Sequence, residues 1–156
     1  MINKEVDIEF INKNLLQTNV TFVTGSFDIL HPGHIDFLAQ AKSIEPQNKL
    51  LVAVLSDDQI KRRKGKSRPI FPLHARITSL SNLEVVDYVL AWKQEWEELR
   101  EFVVKLKPKI LVVGENDPGL ENKRKIMQSL GGTVHELQRK NKYSTTYILE
   151  KLSHTI

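Results

Sequence analysis

Two histidines, His31 and His34, bracket Pro32-Gly33 just after a β-rich run, Val20-Thr-Phe-Val-Thr24, that leads into Gly25. Placed at the start of a helix, both imidazoles can donate hydrogen bonds to a phosphate. The free N–H groups of a helix N-terminus already favour an anion there. Gly25 lets the chain turn sharply and brings backbone N–H groups near a ligand. A satisfied structural histidine explains one such residue more readily than two around a strand-to-helix turn. His-x-x-His also chelates, and zinc would need a third ligand such as Asp28 or Asp36. Nothing in the spacing demands that, so no metal site is expected. Two common phosphate motifs fail. Gly65-Lys66-Ser67 resembles the end of a P-loop, but position 60 is Ile60 rather than the required glycine. Gly25-Ser-Phe-Asp-Ile-Leu-His-Pro-Gly-His34 does not fit Gly-x-Gly-x-x-Gly either.

Six of the 23 basic residues fall in 61–68, Lys-Arg-Arg-Lys-Gly-Lys-Ser-Arg, leaving 17 basic against 19 acidic residues elsewhere. That distribution favours a local anion site over a globally basic surface. The stretch lacks the interleaved aromatics of a base-stacking patch. Gly65 and Pro69 suit a loop over a site. Ser144 is a good helix N-cap whatever else it does.

These residues need a scaffold, and the periodicity supplies one. Apolar or β-rich runs at Val20–Thr24, Lys49–Leu55, Val85–Ala91, Lys109–Val113 and Thr133–Leu137 predict strands. Helical patterns fall at 34–44, after Ser56, and at 72–83, 95–106, 120–130 and 144–152. The alternation predicts an α/β fold, a Rossmann-like doubly wound sheet of about five parallel strands in a single domain. Ligands of such sheets bind beyond the carboxyl ends of the strands, where strand order reverses. The segments to watch are therefore Gly25–His34, Ser56 onward and Gly114–Gly119. Residues 1–18 read as a helix or arm preceding a domain of 19–156. Trp92 and Trp96 read as core or interface residues.

A chain of 156 residues is one domain at ~150 residues each. It has no cysteine, which excludes disulfides, thiolate metal sites and cysteine nucleophiles. Its apolar runs fall short of the ~20 residues of a membrane span, and its N-terminus does not resemble a secretory signal. A cytoplasmic protein without a membrane partner is expected.

The Gly25–His34 segment resembles the Gly-x-Phe-Asp-x-x-His-x-Gly-His signature of the cytidylyltransferase-like nucleotidyltransferases. The resemblance runs from about Val20 to Leu152. Lys64-Gly-Lys-Ser-Arg-Pro69, with Pro72 and Arg76, resembles that family's second segment, most closely in the adenylyltransferase domains of bacterial ADP-heptose synthases. Ser144-Thr-Thr-Tyr-Ile148 resembles the segment that closes the site. The resemblance implies attack of a substrate phosphate on a nucleoside triphosphate, with pyrophosphate leaving. ATP and a heptose-1-phosphate-like sugar are the leading pair, and CTP with glycerol-3-phosphate or a similar alditol phosphate is the alternative. An FMN adenylyltransferase and a non-catalytic nucleotide- or RNA-binding domain stand further off.

By the same resemblance, His31, His34, Lys64 and Arg76 would be catalytic. Gly25, Ser26, Phe27, Asp28, Gly33, Lys66, Gly114, Asn116, Arg139, Ser144, Thr145 and Thr146 would bind the nucleotide. Mg²⁺ would be held mainly by the triphosphate. A homodimer is expected, and no nucleic-acid partner. The chain departs from the ADP-heptose synthases after Val113, where Gly114-Glu-Asn116 replaces Gly-Gly-Asp. Arg139, five residues before Ser144, is placed like an arginine of the glycerol-3-phosphate cytidylyltransferases.

Overall fold

The computed structural model describes residues 3–16 and 18–155, and of Trp96 the backbone only. Its strands are β1 (Glu5–Val6), β2 (Val20–Gly25), β3 (Lys49–Leu55), β4 (Tyr88–Trp92), β5 (Ile110–Gly114) and β6 (Thr133–Leu137). The helices are α1 (Ile8–Asn14), α2 (Pro32–Ile44), α3 (Asp57–Lys64), α4 (Leu73–Ser81), α5 (Trp96–Leu106), α6 (Leu120–Ser129) and α7 (Thr145–Ser153). All pairings are parallel, and the order is β1-β4-β3-β2-β5-β6. The chain builds outward from β2 through β3 to β4, then crosses back to place β5 on the other side of β2. Strand order therefore reverses between β2 and β5.

β3 is buried on both faces, as its unbroken apolar run requires, and the first four residues of β2 are buried beside it. One face packs Phe22, Leu51, Leu55 and Leu111 against α1, α3, α5 and α6. The other packs Val23, Val52, Val54 and Val112 against α2 and α4.

Two features differ from expectation. The sheet has six strands, because residues 5–6 pair with β4 and the N–H of Val89 donates to the carbonyl of Lys4. Ile11 and Leu15, on the helix and turn that follow, are buried in the core. The predicted N-terminal arm is thus joined to the sheet edge. The strand expected from Val85 begins at Tyr88. Val86 closes a turn on Leu83, and the Asp87 carboxylate accepts from the Leu50 N–H and from Lys42.

Candidate active site

The Gly25–His34 loop turns through two residues in the left-handed region, Phe27 (φ 48°) and Ile29 (φ 51°). Both conformations are costly, that of β-branched Ile29 most of all. They flank Asp28 and turn it inward, where its carboxylate accepts from the N–H groups of Ile70 and Phe71 and from Arg68 Nε, each at 2.9 Å. The Asp28 carbonyl accepts from the Thr145 hydroxyl at 2.7 Å. One residue thus ties the histidine loop to the basic loop and to the start of α7. Burial opposes ionisation of Asp28, but the Phe71 and Ile70 N–H groups and Arg68 outweigh it and hold its pKa below the usual carboxylate value. Gly25 is needed for space: a Cβ there would lie 2.9 Å from the Phe27 ring.

His31 is the N-cap of α2. Its Nδ1 accepts from the His34 N–H at 3.3 Å, so its proton sits on Nε2. The His34 ring stacks on it at 3.7 Å. His34 Nδ1 is buried without a well-formed hydrogen bond among the described residues, and the Ile29 backbone lies against the ring. Burial, then His31, then Lys64 push the His34 pKa down to about 3. Burial and Arg139 lower that of His31. Both imidazoles are neutral near pH 7 and can each present one N–H donor.

The histidines open into a cleft of about 620 Å³ whose walls include Lys64, Arg68, Gly114, Arg139 and the Ser144–Thr146 turn. Ser144 caps α7 by accepting from the Tyr147 N–H at 3.0 Å. The segment before α7 crosses the start of α2 so closely that a Cβ on Gly33 would lie 2.4 Å from the Tyr143 carbonyl oxygen. Asn141 bonds Asp36 across the same crossing. Arg139 reaches Glu115 at 3.5 Å. Burial, then Arg68 and Arg63, depress the pKa of Lys64.

A second cleft of about 790 Å³ lies on the opposite face of the sheet, between α5 and α6. Its floor is the end of β2, Thr24 to Ser26, and its walls are mostly apolar, with Leu55, Leu99, Val103 and Ile126 among them. Lys64 and Gly114 line both clefts. The two cavities therefore meet where strand order reverses.

The family profile described as cytidylyltransferase-like matches residues 22–151, which take in both clefts. The chain belongs to the cytidylyltransferase-like family. It is 40% identical over 139 residues to the bifunctional protein HldE of Hahella chejuensis (strain KCTC 2396), covering 85% of this chain and 27% of that protein. To HldE of Helicobacter pylori (strain ATCC 700392 / 26695) it is 34% identical over 152 residues, covering 97% of this chain and 32% of that one. The chain spans about a third or less of these relatives. Among solved structures it resembles a lipopolysaccharide core biosynthesis protein from Thermoplasma volcanium GSS1, with 31% identity and a TM-score of 0.61, covering 81% of this chain and 98% of that one. Pantoate-beta-alanine ligase from Francisella tularensis, with a TM-score of 0.64 and 15% identity over 90% of this chain and 69% of its own, shares the fold alone.

In this cytidylyltransferase-like chain His31, His34, Gly33, Lys64, Gly114, Arg139, Ser144, Thr145 and Thr146 gather at the first cleft, and Gly25 and Ser26 at the second. Five expected residues stand elsewhere. The Arg76 guanidinium is buried and bonds the Ser26 carbonyl (2.7 Å), the Phe71 carbonyl (3.0 Å) and Asp57 (2.7 Å), because a buried charge must be paired. Its place is behind the site. The Asp28 carboxylate is spent on the 68–71 loop. The Phe27 ring packs in the core, and it is the Phe27 backbone that the resemblance brings to the nucleotide. Lys66 is exposed and lines neither cleft. Asn116, at φ 59°, turns the loop while its N–H donates to Glu136.

Arg68 and Glu115 were assigned no role from the sequence, yet both line the first cleft. Arg68 belongs to the basic 61–68 stretch, and its approach to Asp28 depends on the fold. The side chain of Trp96 lies outside the described residues.

Proposed function

We propose that the chain is a nucleotidyltransferase that joins the nucleoside monophosphate of ATP to a phosphorylated sugar and releases pyrophosphate. What carries this reading is the meeting of two unlike clefts at Lys64 and Gly114. The triphosphate takes the cationic cleft with the stacked histidines. The phosphorylated acceptor takes the apolar one, and its phosphate comes to the boundary. An oxygen of that phosphate attacks the α-phosphorus. A new P–O bond forms as the bond to the α,β-bridging oxygen breaks, and pyrophosphate leaves with the electron pair. With a second pKa of ~6 the attacking phosphate is mostly dianionic at pH 7, so no base is needed. Catalysis then rests on positioning and charge neutralisation.

The N–H groups of His31 and His34 and the Lys64 ammonium receive the charge that develops on the phosphates. Arg76 acts as a positioning residue by holding the Ser26 carbonyl and Asp57. Among the described residues no group of three or more His, Asp or Glu side chains could hold a metal. The expected Mg²⁺ would be held mainly through the triphosphate, as the resemblance implies, and would neutralise phosphate charge. A cytoplasmic homodimer goes with this reading, as the resemblance implies. A nucleic-acid partner does not: Lys64, Arg63 and Arg68, from the basic stretch, line the clefts.

ATP is favoured by the adenylyltransferase-like 64–76 segment. CTP is the second reading, favoured by Arg139, which lines the first cleft and contacts Glu115. Pyrophosphate release should be measured with Mg²⁺ and each triphosphate against sugar and alditol phosphates. Release with ATP and a sugar phosphate, reduced about 100-fold or more in His34→Ala, is the expected result. Turnover with CTP alone would replace the nucleotide assignment, and silence across the panel would sink the reading.

A further inference from the structure

The second cleft carries a cation that the transfer chemistry leaves unused. Of the positive groups on it, Lys64 belongs to the boundary with the first cleft, Arg63 on α3 has a partner of its own, and Lys123 is neutralised by Asp117 at 2.6 Å. Arg100 has no hydrogen bond or ion pair among the described residues. It stands on α5 beside Leu99 and one turn from Val103, both of which are buried in the same wall. The helix thus gives the cleft an apolar surface edged by one guanidinium. Such a wall suits the C–H face of a sugar ring, since hydroxyls pressed against it would lose water without gaining partners. A guanidinium is weakly hydrated and presents a planar fork that matches a carboxylate or a phosphate. On the floor, Thr24 carries a buried Oγ1 without a partner among the described residues.

We propose that the acceptor carries a second anionic group, a carboxylate or a phosphate, besides the phosphate that attacks, and that Arg100 is the specificity residue that holds it. This rests on the assignment of the second cleft to the acceptor. With Lys64 at the boundary and Arg100 on α5, a doubly anionic acceptor is held at two points, and the phosphate that attacks is set by where the other one binds.

The test compares glucose 1-phosphate, glucose 1,6-bisphosphate and glucuronic acid 1-phosphate as acceptors for the wild type, Arg100→Gln and Arg100→Lys. The wild type is expected to favour one or both doubly anionic probes about tenfold or more in kcat/KM, mainly through KM. The better of the two tells phosphate from carboxylate. The preference should collapse to about one in Arg100→Gln and return in part in Arg100→Lys. The KM for ATP should not follow it. No preference in the wild type, or one that survives Arg100→Gln, overturns the proposal and makes Arg100 an ordinary solvated helix residue.

Calorimetric titration of the same probes, with a non-hydrolysable ATP analogue bound, reads Arg100 without turnover. No turnover with any acceptor sinks the transfer reading. Selective binding of the doubly anionic probes that is lost in Arg100→Gln still supports Arg100, and equal binding of all three overturns it.

Discussion

His34 sits against His31 with its Nδ1 enclosed, and charging it would place a cation beside Lys64 in a buried position. Its proton NMR signals are expected to stay flat from pH 8 to pH 4.5, because its pKa is pushed down to about 3. The acid limb of kcat/KM should then follow the acceptor phosphate at ~6 and move with acceptors of different acidity. A limb that stays at one pH for every acceptor would instead assign it to a group of the protein. Gly33 is decided by contact distance. In Gly33→Ala the new methyl meets the Tyr143 carbonyl, a backbone atom that moves only with its whole segment. A loss of about 1–3 kcal/mol by chemical denaturation and a larger loss of activity are expected. Asp28→Asn leaves Arg68 without its buried counter-charge. Breaking such a pair costs about 3–5 kcal/mol, and retained stability in urea would mean that solvent reaches the loop.

At the scale of elements, the Thr145 hydroxyl joins α7 to the carbonyl of Asp28 across more than a hundred residues of chain. Thr145→Val removes that bond with little change of shape. About 1 kcal/mol of stability should go, and the KM for the triphosphate should rise more than kcat falls. Most elements were legible. β2, β3, β5 and β6 follow from apolar or β-rich runs, and the caps of α3 and α7 from Ser56 and Ser144. The edge strand β1 was not, since two residues carry no periodicity and Ile11 and Leu15 look like any amphipathic pair. At the site, His31, His34 and Ser144 were legible because spacing and position relative to helix starts identify them. For Arg76 the sequence leaves two places open, the phosphates or the loop that closes over them, because a guanidinium next to a phosphate-like loop looks the same on paper whether it faces the cleft or supports it. Only its three internal acceptors distinguish the two.

Acid sensitivity belongs to the whole molecule. His31 and His34 have folded pKa values below 6.5, so the unfolded chain takes up protons first as pH falls, and stability declines from there toward about 3. Asp28 and Asp87 lie below 3.8, and the stability they contribute is present above that value and lost beneath it. The urea midpoint should fall steadily from pH 7 to pH 3, and His34→Asn should flatten the upper part of that slope. A midpoint unchanged between pH 7 and pH 5 would show that the histidines are hydrated in the native state.

Because the two cavities share Lys64 and Gly114, the carboxyl end of the sheet is a bridge as well as a meeting point. Under the proposed reaction each substrate occupies one side and the sugar nucleotide spans both. It is a bivalent ligand whose halves raise each other's local concentration. The tightest binder among the reactants and products is then the sugar nucleotide, and turnover is set by how fast it lets go of one side.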